Sequence, residues 1–133
     1  MNIASIRSGL LAGSIALGLL AGCASYEMKS AAAPARSEGG LIVGTSGMTL
    51  YTFDKDAADS GKSACNGPCA TNWPPLFASD SDSASGNWSI ITRDDGKKQW
   101  AFKGKPLYFW IKDQKPGDKT GDGVNNAWRT AKE

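Results

Sequence analysis

Histidine is absent from this chain of 133 residues, and its absence argues against several kinds of chemistry. A c-type haem site needs a His directly after its second Cys. Copper chaperones with the C-x3-C spacing of Cys65 and Cys69 need a distant His ligand and an alternating strand-helix pattern. The commonest base for a nucleophilic Ser or Cys is missing too. The pair Asp94-Asp95 lies in a predicted turn exposed to solvent, which is not the cleft environment of catalytic carboxylates. We therefore expect no catalytic residues, no cofactor and no bound metal, and a protein that is not an enzyme.

A large excess of charge of one sign is also lacking. The chain has 15 Lys and Arg against 13 Asp and Glu, and residues 1–22 contain only one of these, Arg7. A balance so close to neutral gives no electrostatic reason to bind nucleic acid, whose phosphates are recognised by clustered cations. No nucleic-acid partner is expected.

A long hydrophobic run is missing as well. The apolar run Gly9–Leu20 falls short of the roughly 20 residues that a transmembrane helix needs, but it follows Arg7 as the core of a signal peptide does. It ends in Leu20-Ala21-Gly22-Cys23, which reproduces the recognition box of bacterial lipoprotein signals. We expect removal of the signal peptide, residues 1–22, lipidation of Cys23 and anchoring in a membrane. Since no Asp follows Cys23, the outer membrane, facing the periplasm, is favoured if the cell has two membranes.

Cysteine is scarce, with three in the chain. Residues 23–40 lack a periodic apolar face and are interpreted as a lipidated flexible tether, which leaves residues 41–133 as a β domain of marginal size. With Cys23 lipidated, Cys65 and Cys69 remain, separated by the turn-forming residues Asn-Gly-Pro. In an oxidising compartment this spacing predicts a structural disulfide. The alternative is a redox-active or copper-binding pair, helped by Met48.

A repeated segment organises the domain. Gly47–Asp56 and Gly104–Asp113 share Gly, Leu, Tyr, Lys and Asp at an offset of 57 residues. Each segment follows a short β-like run and precedes a Gly- and Asp-rich loop that leads to a Trp. The two repeats therefore span about residues 41–77 and 98–131.

Residues that favour strands, with a period of two, predict an all-β fold: a small antiparallel domain of six or seven strands. A hairpin is expected where Trp88–Arg93 and Lys98–Phe102 flank the turn residues Asp-Asp-Gly-Lys. No segment after residue 40 has helical periodicity. Because one hairpin with a loop is not stable alone, the two copies should pack together. Tyr51 and Tyr108 should then be equivalent, each packed against the Trp of its own copy. Those tryptophans are Trp73 and Trp128.

The motif residues allow two interpretations. In each copy the Tyr and the aromatic residue two positions later share one face of a strand. These side chains either fill the core or line a ligand-binding face, and the Asp of each motif either fixes a turn or faces the ligand. The candidate residues are Tyr51, Phe53, Asp56, Tyr108, Trp110 and Asp113. A further segment, Asp118–Gly123, fits the first half of a calcium loop, but the twelfth position is Arg129 where a Glu is needed, so no metal is expected there.

The chain resembles a family of predicted bacterial lipoproteins built on a secreted repeat with a Tyr-x-(Phe/Trp/Tyr)-x-x-Asp motif. The resemblance rests on the two motif segments, the Cys65–Cys69 turn, Trp73-Pro74-Pro75-Leu76 and Arg93-Asp94-Asp95-Gly96, and covers about residues 41–131. It implies an extracytoplasmic location and a repeat architecture, and it implies no reaction. Family members often carry a His after the final Trp, whereas this chain has Arg129, so no role that depends on that His applies here.

Together these patterns predict a membrane-anchored extracytoplasmic lipoprotein that acts as a non-catalytic binding or envelope-interaction module. Its partner, beyond the membrane bound through Cys23, is an envelope protein or a small molecule that the sequence does not identify. The alternative function is a lipoprotein that handles redox equivalents or copper through Cys65 and Cys69.

Overall fold

The computed structural model describes residues 33–133, and short strands dominate this part of the chain. The strands are β1 (Ala35–Glu38), β2 (Leu41–Gly44), β3 (Tyr51–Phe53), β4 (Phe77–Ala78), β5 (Trp88–Thr92), β6 (Lys98–Phe102), β7 (Lys105–Pro106) and β8 (Trp128–Thr130). The predicted all-β class, made of small antiparallel sheets and two repeats, is confirmed. The number of strands within residues 33–133 is eight instead of six or seven. The predicted signal peptide, the lipidation site Cys23 and the first part of the tether lie outside the described residues.

The predicted end of the tether, at residue 40, is wrong. Strand β1 pairs with β2 along its whole length, from Ala35 opposite Gly44 to Glu38 opposite Leu41, and Ala35 is buried. The Gly39-Gly40 pair, at the end of the assigned tether, is the turn of this hairpin. Both glycines have positive φ, the conformation that two-residue hairpin turns require. The folded domain therefore includes residues that we assigned to the tether.

A single short helix, α1 (Pro68–Asn72), also departs from the sequence analysis. It makes one turn only, which is too short to display a helical period of apolar residues. Pro68 suits the first turn because its missing N–H would have no partner within the helix. Beyond it, residues 124–126 form one turn of 3-10 helix. No helix within residues 33–133 combines the length and the apolar character needed to cross a bilayer.

Three sheets make up the described part of the chain. The predicted hairpin is present as β5 and β6, and the other edge of β6 pairs with β4 and β7. Strands β1 and β2 form a second sheet, and β3 and β8 form a third. All of these pairings are antiparallel. Three of them join consecutive strands, whereas β3 with β8 and β4 with β6 join strands that are not consecutive in the chain.

The residues that follow the Trp of each repeat form backbone hydrogen bonds with the other repeat. At the end of the first repeat, Leu76 donates its N–H to the carbonyl of Leu107 in the second, at 2.9 Å. At the end of the second repeat, Ala131 donates in the same way to Leu50 in the first, at 2.8 Å. Leu50 and Leu107 have no exposed surface. Each repeat therefore completes the hydrogen bonding and the core of the other.

The glycine that recurs in both repeats is explained by the same exchange. A Cβ atom at Gly47 would lie 3.1 Å from the Cβ of Pro116, and one at Gly104 would overlap the carboxylate of Asp59. In each case the loop that follows one motif packs against the turn of the other repeat. Both glycines also have positive φ, which a residue with a side chain adopts at a cost.

Candidate functional site at the repeat interface

The two motif strands meet at their tyrosines. The N–H of Tyr51 donates to the carbonyl of Tyr108 at 2.8 Å, and the N–H of Tyr108 donates to the carbonyl of Tyr51 at 3.0 Å. This reciprocal pair relates the repeats by an approximate twofold axis. It confirms that the copies pack against each other with the tyrosines in equivalent positions.

The side chains of the two motifs also form hydrogen bonds from one repeat to the other. The hydroxyl of Tyr51 donates to Oδ2 of Asp113 at 2.6 Å, and the hydroxyl of Tyr108 donates to Oδ2 of Asp56, also at 2.6 Å. Each tyrosine thus binds the aspartate of the other motif and not that of its own. All four side chains are buried, so these bonds lie in the interior between the repeats.

The second oxygen of each carboxylate closes a loop. Oδ1 of Asp56 accepts the N–H of Ala64 at 2.6 Å, while Oδ1 of Asp113 accepts the N–H of Thr120 at 3.0 Å and its hydroxyl at 2.6 Å. Because each loop is held by a buried acceptor, it stays closed over the core. The interpretation of both aspartates as residues that fix the backbone agrees with this geometry.

Burial is the main influence on the pKa values of Tyr51, Tyr108 and Asp56. It raises the pKa of both tyrosines well above the ordinary range, and the bonds to the aspartates raise it further, so both phenols remain neutral. Burial also raises the pKa of Asp56, although the bonds from Tyr108 and Ala64 and the charges of Lys105 and Arg93 oppose the rise.

An aromatic stack lies across the same interface. Trp73 and Trp128 are parallel, with ring centroids 3.7 Å apart and an interplanar angle of 2°. Trp110 stacks on Trp73 at 4.0 Å, and Phe53 stacks on Trp128 at 4.2 Å, so the aromatic residue of each motif packs on the Trp of the other repeat.

Each tyrosine packs on the Trp of its own repeat. Tyr51 contacts Trp73 edge to face at 5.3 Å, and Tyr108 contacts Trp128 in the same way at 5.1 Å. The predicted Tyr–Trp pairing is therefore confirmed. Of the six candidate residues, only Trp110 is not fully buried, and the other five build the core instead of an exposed ligand face.

A buried polar network, which the sequence did not predict, lies beside this core. The guanidinium of Arg93 donates to Oγ of Ser63 at 3.0 Å, to Oε1 of Gln99 at 2.7 Å and to the carbonyl of Cys65 at 2.6 Å. Ser63 in turn lies 2.7 Å from the hydroxyl of Tyr108. The available signal was an Arg directly after an alternating strand, on the face that Ile91 places inside.

The predicted disulfide joins Cys65 and Cys69, whose Cα atoms are 5.2 Å apart. Cys65 is fully buried against the aromatic core, and Cys69 begins the turn that leads to Trp73. The bridge thus positions one end of the stack. Met48 lies in the turn after β2, where its carbonyl accepts the N–H of Gly44.

The segment with calcium-like spacing uses its carboxylates for its own backbone. Oδ2 of Asp118 accepts the N–H groups of Gln114 and Lys115, and these bonds hold the pKa of Asp118 below its ordinary value. Oδ1 of Asp122 accepts the N–H of Thr130. Among residues 33–133, no three Cys, Asp or Glu side chains are grouped so as to hold a metal ion.

An open cleft of about 500 Å³ lies beside the disulfide turn. Pro74, Pro75 and Phe77 supply apolar surface, while Asn66 and Lys97 supply polar groups. Phe77 is 51% exposed, one of two large apolar side chains in the described part that reach the solvent to this extent.

Two β units that share one aromatic core define a two-repeat β domain. The chain belongs to the Lipoprotein_15 family, described as a secreted repeat of unknown function, whose model matches residues 33–77 and 89–132. The suspected resemblance is thereby confirmed. The matches begin earlier than the predicted repeats because each unit includes the first strand of its hairpin, β1 or β5.

Membership of this family implies an extracellular location. The comparisons found no match among curated proteins or solved structures.

Proposed function

We propose that the protein is a lipoprotein anchored through Cys23, whose two-repeat domain serves as a non-catalytic binding module at the cell envelope. Its partner is an envelope protein or a small molecule, and no nucleic acid. In a cell with two membranes the anchor lies in the outer one and the domain faces the periplasm.

The sequence before the domain supports the anchor. The box Leu20-Ala21-Gly22-Cys23 follows a signal-like apolar run, and the family to which the chain belongs is described as secreted. Ala35 is the twelfth residue after Cys23, so covalent geometry keeps the start of β1 within about 40 Å of the lipidated residue. An anchored domain would therefore act close to the membrane surface.

The reciprocal Tyr–Asp bonds are the observation that supports a non-catalytic role. In both Tyr–Asp pairs the polar side-chain atoms form hydrogen bonds with each other and with backbone groups. The pairs are Tyr51 with Asp113 and Tyr108 with Asp56, and both are buried out of reach of a substrate. A general acid or base must lie within hydrogen-bond reach of the reacting group. The motif residues therefore serve to assemble the domain.

The cleft beside the disulfide turn is the surface that we propose for binding. Its volume of about 500 Å³ lies within the range of ligand sites. Phe77 gives it an exposed aromatic side chain, and Nζ of Lys97 lies 5.7 Å from the centre of that ring. Such an apolar patch with a polar rim is typical of interaction sites.

The anchor is tested by membrane fractionation and mass spectrometry. The wild-type protein should be found in the membrane fraction with an acylated Cys23 at its N-terminus, and Cys23→Ala should not. A Cys23→Ala protein that fractionates with membranes as the wild type does would overturn the anchoring.

Binding is tested by crosslinking in intact cells with a photoreactive residue at position 77 or, as the matched control, at position 111. Phe77 and Ile111 have similar exposure, 51% and 55%, but only Phe77 lines the cleft. A specific crosslinked product at position 77 and none at position 111 is expected. Equal labelling from both positions, or none at position 77, would contradict the assignment of the cleft.

A further inference from the structure

Three indole rings form a continuous path from the surface into the core. Trp110 lies 4.0 Å from Trp73, which lies 3.7 Å from Trp128, both measured between ring centroids. We call these three residues the indole stack. Trp73 and Trp128 are 4% and 2% exposed, whereas Trp110 is only half-buried and carries the accessible end. Indole is among the side chains most easily oxidised by one electron, and stacked rings in contact permit that electron to move.

The two buried rings of the indole stack contact phenols whose protons have acceptors. Tyr108 packs on Trp128 and donates its hydroxyl to Asp56, and Tyr51 packs on Trp73 and donates to Asp113. A phenol that loses an electron must also lose its proton, so an acceptor at 2.6 Å makes the oxidation easier. Burial raises the pKa of Asp56, which makes this carboxylate a better base than an exposed one.

We propose that the indole stack is an electron relay, which carries one-electron oxidation from Trp110 at the surface to the buried Tyr–Asp pairs. An oxidising radical in the surrounding medium takes one electron from Trp110 and is itself reduced. Trp110 regains an electron from Trp73, and Trp73 from Trp128. Tyr108 then supplies the electron to Trp128 and transfers its hydroxyl proton to Asp56. A thiolate, which becomes a thiyl radical, or another one-electron reductant supplies the electron that restores Tyr108, and the proton returns from Asp56.

The direction of this relay follows from the ends of the stack. Nζ of Lys112 lies 5.9 Å from the ring of Trp110, so its charge disfavours a radical cation that stays on this ring and favours its transfer inward. Beyond Trp128 the stack ends in Phe53, whose benzene ring is much harder to oxidise than a phenol. Tyr108 and Tyr51 are therefore where the oxidation comes to rest. The result is a domain that takes up oxidising equivalents from outside, independently of any ligand in the cleft.

Flash photolysis tests the relay on the purified full-length chain. A soluble ruthenium polypyridyl complex, oxidised by an irreversible quencher, serves as the oxidant, and transient absorption follows the indole and tyrosyl radicals. All proteins carry Tyr26→Phe, which leaves Tyr51 and Tyr108 as the only tyrosines. An indole radical that decays as a tyrosyl radical appears is expected, and a protein that forms no tyrosyl radical would overturn the proposal.

Trp110→Phe should remove most of the tyrosyl signal, because the entry to the indole stack is lost. The position accepts this ring, since Phe53 occupies the equivalent place in the first repeat. Trp88→Phe is the matched control: Trp88 is also half-buried, but it packs with Trp100 and Phe102 in a separate cluster. It should retain the signal. Equal tyrosyl yields from the Trp110→Phe and wild-type proteins would refute the relay.

A second variant examines the proton acceptors. Asp56→Asn combined with Asp113→Asn keeps side chains of the same size but weakens both acceptors, so the indole radical should live longer and the tyrosyl yield should fall. Near-ultraviolet circular dichroism confirms that the aromatic core is intact. Unchanged radical kinetics in a folded double variant would show that the aspartates have no part in the transfer.

Discussion

Tyr51 binds Asp113, which lies 62 residues further along the chain, and leaves Asp56 of its own motif to Tyr108. Both bonds are buried and both measure 2.6 Å, so the two copies of the motif contribute equally to one shared interior. A motif of this kind is satisfied only when both copies are folded.

Removal of one tyrosine hydroxyl tests how much these hydrogen bonds contribute to the free energy of unfolding. Tyr51→Phe and Tyr108→Phe should each lower the free energy of unfolding by about 1–3 kcal/mol, because the ring still packs while a buried carboxylate loses its donor. Tyr→Ala at either position adds a cavity and should cost about 3–5 kcal/mol. Urea denaturation measures both effects. If the Phe variants unfold at the same urea concentration as the wild type, the hydrogen bonds contribute little.

Neither repeat should fold alone. Residues 33–78 lack Ala131, which donates to the carbonyl of Leu50, and Tyr108, which exchanges two backbone bonds with Tyr51. Residues 88–133 lack Leu76, which donates to the carbonyl of Leu107, and they lack Tyr51 as well. Separate fragments should show the narrow amide dispersion of unfolded chains in NMR spectra, and an equimolar mixture should recover the dispersion of the intact domain. A dispersed spectrum from either fragment alone would contradict the exchange.

Gly121 should not tolerate a side chain. A Cβ atom there would lie 2.8 Å from Trp73 and 2.9 Å from Trp110, so Gly121→Ala should cost about 1–3 kcal/mol through overpacking. Gly117→Ala meets open space and should cost only the roughly 1 kcal/mol of its positive φ. Thermal and urea unfolding of the three proteins compare these values.

Asp56 should make the stability depend on pH in an unusual direction. Because its pKa is raised on folding, its contribution is fully present below the unfolded pKa and is lost as pH rises through the folded pKa. The wild type should therefore lose stability relative to Asp56→Asn as pH rises through that window. The pKa of Asp118 is lowered on folding, so Asp118 should stabilise the folded state above its unfolded pKa. That stabilisation should be lost as pH falls through the folded pKa. Urea titrations from about pH 3 to pH 8 with Asp56→Asn and Asp118→Asn separate the two signs.

The hairpin, the disulfide and the repeat were predictable because each depends on nearby residues. Strand alternation and an Asp-led turn define β5 and β6, and three turn-forming residues bring Cys65 and Cys69 within bridging distance. The first strand was missed because Gly39-Gly40 has the composition of a linker as well as of a hairpin turn. Composition alone does not distinguish these, and the pairing of β1 with β2 does.

The amino-acid sequence by itself determined that two copies of one β unit exist and that each pairs a Tyr with a later Trp. Only the tertiary structure decided that each Tyr binds the Asp of the other copy. The spacing from Tyr to Asp is the same in both motifs, so it cannot specify whether the bond is within or between copies. Arg93 shows the same limit, since its partners Ser63 and Cys65 lie about 30 residues away and only packing brings them together. Local spacing selects strands and turns, whereas the burial of polar groups, which must find partners away from water, selects the contacts between them.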